Sequence, residues 1–372
     1  MGAAMDQRTG PETTATGKQH FAVLDGLRGT AALLVVIFHV QGITVVFEGS
    51  KVLLHHAPLA VDFFFMLSGF VIGYAYDDRW ARMSLRQFLT LRLVRLHPLL
   101  VLGMVLGLAS YLLDPFAGSL QQVPAGRLFA VFALGLLALP SMTLPNRWTD
   151  THPLNGPAWT LFQEYLGNLA YALVLRKLET RRLAILAAGA GLLEVVLATR
   201  AGTLDLGSYW ETFPMAVVRL VFPFTAGLLL FRLQPRLPRF RAGFVPLSLA
   251  LTAVFLLPIM PELGGVKLNG LFEALCIVVL FPLVVVAGAH SEPQGRSSAL
   301  VRLAGRLSYP LYITHFPFLY VYMNYVLVTK PSPQAIALAG IGAVVLTVAV
   351  AWLALRLWDG PTRAWLRRRL AV

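Results

Sequence analysis

Leu24-Asp25-Gly26-Leu27-Arg28-Gly29 opens an apolar stretch that runs on to Phe38-His39. About 20 such residues cross a bilayer core roughly 30 Å thick as a helix, yet this run carries an acid, an arginine and a histidine. Arg28 and His39 are eleven positions apart, close to three turns of helix. That puts both on one face, about 16 Å apart along the axis. An ionisable group at the centre of a span costs at least about 2.5 to 3.5 kcal/mol, so each needs a reason. A packing histidine and a snorkelling arginine would be one. The shared face, together with the motifs further along the chain, favours a functional pair instead. Asp25, three positions before Arg28, is placed to fix its guanidinium.

The rest of the chain has the same character. Of 372 residues, 57% are hydrophobic and only 13% charged, against about 25% charged in soluble domains. Lipid must therefore be the solvent for most of the protein. This excludes a disordered chain and an ordinary cytosolic enzyme, and a single cysteine, Cys276, excludes a disulfide scaffold. The net charge of +13 does not indicate nucleic acid, because the basic residues are parcelled into short segments between apolar runs. Only five of the 31 basic residues are lysines. Genomic base composition explains that bias, and so does recognition of phosphate, which arginine grips bidentately.

The fold class expected is an all-α polytopic membrane protein. Eleven apolar stretches lie between residues 27–47 and 335–357. Basic clusters belong on the cytoplasmic side, and their spacing leaves one stretch too many between Arg95 and Arg176. The shortest, 127–141, runs into Pro140, Pro145, Pro153 and Pro157, so a re-entrant or broken segment is expected near 127–157. About ten transmembrane helices remain, with both termini cytoplasmic. Broken backbone at membrane depth must be covered by protein or a watery cavity, which places this segment beside the site. Residues 1–20 read as a disordered cytoplasmic tail, 21–363 as a single membrane domain, and 364–372 as a basic cytoplasmic tail.

Further motifs carry the chemistry. Ser84 and Gln87 form an S-x-x-Q capping box that starts a short amphipathic helix near 85–96, and Pro98 is expected to kink its entry into the next span. Arg92 and Arg95, at i and i+3, point the same way and offer two forks for phosphates; positive-inside charge is the plainer reading. Asp62 lies near the outer end of its span, where it orients a polar partner or faces the interface. Ser68-Gly69 permits close helix approach. Trp159 suits an interfacial belt, and one turn further in Glu164 needs a partner: a histidine, a substrate hydroxyl or an arginine. His315 is a second intramembrane histidine. His55-His56 lacks a third ligand, so no metal is expected, and no Walker loop, dinucleotide fingerprint or nucleophile elbow is present.

Together these segments resemble the acyltransferase-3 family, multi-pass bacterial membrane enzymes that O-acylate surface polysaccharides, lipopolysaccharide, glycolipids and macrolides. Arg28 and His39 match its R-x10-H, and Arg92-Leu93-Val94-Arg95 its R-x-x-R. Phe64 to Phe70 is similar to F-F-x-x-S-G-F, and Trp159 to Glu164 to W-S-L-x-x-E, with Thr160 for the serine. Leu307-Ser308-Tyr309 through Tyr312 to His315-Phe316-Pro317 resembles L-S-Y-x-x-Y-x-x-H-x-P, and Asp359-Gly360-Pro361-Thr362-Arg363 stands where members carry an acid, a proline and an arginine. The order is kept from Asp25 to Arg363. Val61 replaces a common glycine, which weakens any role for Asp62.

The resemblance implies a membrane O-acyltransferase of the bacterial cytoplasmic membrane. Its co-substrate would be cytoplasmic acyl-CoA, most often acetyl-CoA, with no permanently bound cofactor. The acceptor would be a hydroxyl of a cell-surface or exopolysaccharide sugar or its lipid-linked precursor, with a macrolide or other small molecule as the alternative. Arg28, Arg92 and Arg95 would hold the donor's phosphates. His39, Glu164 and Asp25 would form the catalytic set, with His39 as general base or as acyl carrier and Glu164 orienting His39 or the sugar. Asp62, Ser68, Trp159 and His315 would contact substrate. Intramembrane charge also marks transporters, which makes a secondary carrier the competing class.

Overall fold

The computed structural model describes residues 21–46, 51–118, 123–238, 240–293 and 297–371; the expected tail at 1–20 lies outside them. The chain is an all-α polytopic membrane protein. Among the described residues, seven helices are long and apolar enough to cross a bilayer, or eight if one bent pair counts as a single span.

Helix α1 (Ala22–Thr44) carries both Arg28 and His39. It packs on α11 (Ser297–Thr314), while α2 (Ala60–Tyr76) packs on α7 (Phe213–Leu233). The second crossing depends on two glycines. A methyl group on Gly69 would meet the Phe224 carbonyl, and one on Gly227 would meet the Met66 carbonyl, so each helix backbone rests on the other's glycine, as in close-packed membrane helices. Gly69→Ala should lower stability by about 1 to 3 kcal/mol, the usual cost of overpacking, read as an earlier melt of the detergent-solubilised protein.

The sequence reading of 85–112 needs correction. The expected short amphipathic helix and the following span are one helix, α3 (Leu85–Leu112), opened by the Ser84–Gln87 capping box and continuous through Pro98. Beside the proline, Tyr309 Oη donates to the Leu96 carbonyl at 2.6 Å and Trp358 Nε1 to the Pro98 carbonyl at 2.6 Å. Side chains from later in the chain thus anchor the α3 backbone on either side of this turn.

Helix α4 (Ala125–Leu136) is only 12 residues long, and irregular backbone follows it as far as α5 (Ala158–Leu173), in line with a broken segment. Helices α6 (Thr180–Ala201) and α8 (Phe244–Leu256) follow in order around α7. A two-residue hairpin, Glu262–Leu263 with Val266–Lys267, departs from the all-α expectation. Its turn is Gly264-Gly265, both at positive φ, which the tight hairpin turn requires. Helices α9 (Leu268–Leu275) and α10 (Phe281–Ala289) are joined by a π-helical stretch, Cys276–Leu280.

The apolar stretch expected at 308–328 is two helices, α11 and α12 (Phe316–Thr329), bent by 52° at His315. Pro317 is the cause. It has no N–H for the Ile313 carbonyl one turn back, and that carbonyl instead accepts from Asn155 Nδ2 at 2.8 Å. The final crossing helix, α13 (Pro333–Leu353), passes through a π-helical segment, Ala354–Asp359, into α14 (Gly360–Leu370). The basic stretch expected as a tail from 364 is therefore helical as far as Leu370.

Candidate active site

The N-terminal end of α1 and its C-terminal half face different cavities. Ala22, Asp25 and Arg28 line one of 440 Å³; Val35, Phe38, His39 and Ile43 line another of 670 Å³. The sequence suggested one passage from Arg28 to His39. The structure instead shows two cavities, which meet at Tyr312 of α11 and Val61 of α2, the two described residues that line both.

Arginines dominate the smaller cavity. The sequence reading selected Arg28, Arg92 and Arg95, and all three line it. So do Arg302 and Arg306 of α11 and Arg363 and Arg367 of α14. The sequence held a signal for these four, since each pair is spaced i, i+4 and so shares a helix face. Arg28 donates from Nη2 to Asp25 Oδ1 at 2.6 Å and from Nε to Ser308 Oγ at 3.1 Å. Arg363 is paired with Asp359. Arg92 is buried and donates from Nη2 to Glu164 Oε1 at 2.7 Å, while its Nε has no partner. A buried donor left unmade is costly, and the seven arginines give this cavity a strongly positive lining.

Of the partners open to Glu164, a histidine, a substrate hydroxyl or an arginine from another helix, the structure supplies the arginine: Glu164 lines the arginine cavity, where its Oε1 accepts from both Arg92 and Ser68 Oγ, the latter at 3.1 Å. Asp25 likewise stands beside Arg28 in the arginine cavity, so its contribution is to hold that guanidinium. Ser68 lines the same cavity.

The partner of His39 is His315. Nδ1 of His39 lies 3.1 Å from Nε2 of His315, with the rings stacked at 5.3 Å. The surroundings decide the tautomers. Nδ1 of His315 is 2.9 Å from the Tyr312 carbonyl and 3.1 Å from that of Leu311. Carbonyls only accept, so this nitrogen carries the proton and Nε2 of neutral His315 is an acceptor. His39 must then donate from Nδ1, which leaves its Nε2 lone pair as the basic atom on a ring that borders the larger cavity. His315, expected to contact substrate, is fully buried and does not line that cavity; its contact is with His39.

Trp148, Trp159, Tyr209 and Phe316 wall the larger cavity, with Asp150, Asp205, Glu273 and Arg219 among its polar groups. Trp159, expected in an interfacial belt and against substrate, is buried and lines this cavity. Asp150, on the loop before α5, is pushed up to about 7 by burial, against the Tyr320 hydrogen bond and the Arg147 charge that lower it. Asp62, expected to contact substrate or to orient a polar partner, lines neither cavity and orients Arg219. It is completely buried, and Arg219 grips it with Nη2 to Oδ2 at 2.6 Å and Nε to Oδ1 at 3.1 Å. Arg219 also donates to the carbonyls of Leu206 and Pro58, both at 2.8 Å, and lies 5.6 Å from the Trp159 ring. No group of three or more metal-ligating side chains occurs among the described residues.

A family profile described as an acyltransferase domain matches residues 21–356. The chain is 35% identical over 170 residues to Protein 2 in picA locus of Rhizobium radiobacter, covering 41% of this chain and 82% of that protein. It is 29% identical over 320 residues to Acyltransferase MdmB of Streptomyces mycarofaciens, covering 79% of this chain and 77% of that one. No solved structure matches.

Proposed function

The chain belongs to the acyltransferase-3 family, and from that premise we propose that it moves an acyl group, acetyl in the first instance, from cytoplasmic acyl-CoA to a hydroxyl of a cell-surface or exopolysaccharide sugar or its lipid-linked precursor. The observation that carries this reading is the pairing of cavities: seven arginines line one, and the other holds a histidine whose basic nitrogen is set by a hydrogen-bonded neighbour. Diphosphate and ribose phosphate belong among the arginines, on the cytoplasmic side by the positive-inside rule. The acceptor enters the aromatic-walled cavity from the opposite side, where tryptophan and tyrosine faces and carboxylates suit a sugar.

His39 then serves as general base. Its Nε2 takes the proton of the acceptor hydroxyl as the oxygen attacks the thioester carbon. In this arrangement the protein spans the bacterial cytoplasmic membrane about ten times, with the shorter α5 and α8 added to the eight spans counted by length, α4 as the broken segment, and both termini inside.

Purified protein in detergent, given radiolabelled acetyl-CoA and glycans extracted from the native cell, should transfer label to the glycan. A carrier would require a sealed vesicle, and absence of transfer in detergent with transport in vesicles would reject the enzyme. In the same assay Arg95→Ala should raise the KM for acetyl-CoA by about 10- to 100-fold, because a hydrogen bond to a charged group is worth about 1.5 to 3 kcal/mol, with kcat at saturating donor little changed. An unaltered KM would remove Arg95 from the donor site.

A further inference from the structure

We propose that the phenolic hydroxyl of Tyr312 donates a hydrogen bond to the carbonyl oxygen of the acyl group during transfer, at the junction of the two cavities, with Thr160 setting its direction. The inference rests on the acyl-transfer reading above and assigns a step which that reading leaves without a donor.

The geometry singles out this residue. A thioester drawn from the arginine cavity toward His39 passes the place where both cavities meet, which is lined by Val61 and Tyr312. Val61 offers only methyl groups, so the phenol is the polar atom available there. Its position is fixed from several sides. Phe64 packs against the ring edge-to-face at 5.4 Å. The single Thr160 hydroxyl proton is shared between Tyr312 Oη at 3.1 Å and the Pro157 carbonyl at 2.9 Å. With Thr160 donating, the phenolic proton is left for a third group. The backbone carbonyl of Tyr312 accepts from His315 Nδ1, so one residue both fixes the tautomer relay to His39 and presents the hydroxyl. The His315 and Tyr312 rings are 6.1 Å apart, so the phenol stands beside the histidine that orients the base.

The step balances as follows. The acceptor oxygen forms a C–O bond to the acyl carbon, its proton passes to His39 Nε2, and the carbonyl π pair moves onto the oxygen facing Tyr312. Collapse of that tetrahedral adduct breaks the C–S bond, and the departing sulfur takes the proton from His39 to leave as the free thiol. Tyr312 keeps its own proton throughout. A pre-placed donor of this kind acts where charge develops, and loss of one costs about 10² to 10³ in kcat.

The test uses Tyr312→Phe in the full-length protein, with radiolabelled acetyl-CoA and native-cell glycan extract, and kcat and KM are measured separately. The expected result is a kcat lower by about 10²- to 10³-fold, with KM for acetyl-CoA within about twofold and the melting temperature unchanged. A packing role would shift melting or KM and spare kcat. Wild-type kcat in Tyr312→Phe overturns the assignment while leaving the acyl-transfer reading intact; no transfer by the wild-type protein overturns that reading and this inference with it. Should Tyr312→Phe fail to accumulate, Thr160→Val carries the same test: a lower kcat at constant KM supports the assignment, and an unchanged kcat rejects it.

Discussion

Replacing His39 by alanine should lower acyl transfer by about 10²- to 10⁴-fold, the range that a positioned general base supplies. The basis is the hydrogen-bond pattern around the two histidines. His315 is locked by two backbone carbonyls, its Nε2 faces His39 Nδ1 at 3.1 Å, and the His39 lone pair falls on Nε2. Alanine removes that lone pair and leaves the arginine cavity untouched. Binding of acetyl-CoA should therefore persist, and the loss should appear in kcat. Label transfer in detergent measures the loss in kcat, and calorimetric titration with acetyl-CoA measures the binding. A folded His39→Ala protein working at the wild-type rate would reject His39 both as base and as acyl carrier.

The second large effect concerns stability. Arg219→Met should destabilise the protein by about 3 to 5 kcal/mol, the cost of stranding one member of a buried ion pair. Asp62 is completely buried and depends on Arg219 for both of its side-chain hydrogen bonds. The same guanidinium satisfies the carbonyls of Leu206 and Pro58, tying α7 to the start of α2 and to the loop beneath the larger cavity. Arg219→Lys should recover only part of the loss, because a single ammonium cannot reproduce the fork. Combining Arg219→Met with Asp62→Leu removes the stranded charge and should recover more. Thermal unfolding in detergent checks the series; an Arg219→Met protein that melts with the wild type would show that the pair contributes nothing.

The helices were legible because their causes are local. The Ser84–Gln87 box, the apolar run from Leu27 to His39 and the prolines after residue 139 each act within a few residues of themselves, and the elements follow. The bend before Pro317 was not legible, since 308–328 reads as one apolar stretch, nor was the continuity of α3 from Leu85 through Pro98. The partner of Glu164 was left open. A carboxylate one turn into a span demands a partner, but nothing near it in sequence says whether that partner is a histidine or an arginine.

From composition and periodicity came a lipid-embedded helical protein with Arg28 and His39 on one face of its first helix, and its ordered motifs added a family resemblance along nearly the whole chain. Helical spacing is a property of consecutive residues, and lipid enforces it on every span. Tertiary structure alone decided that seven arginines from four helices share one cavity, that His39 leans on a histidine 276 residues away, and that the two cavities meet at Tyr312 and Val61. Those neighbours are set by which helices can approach closely, as at Gly69 and Gly227, and by where a helix bends at His315, and both depend on side chains that meet only after the bundle has packed.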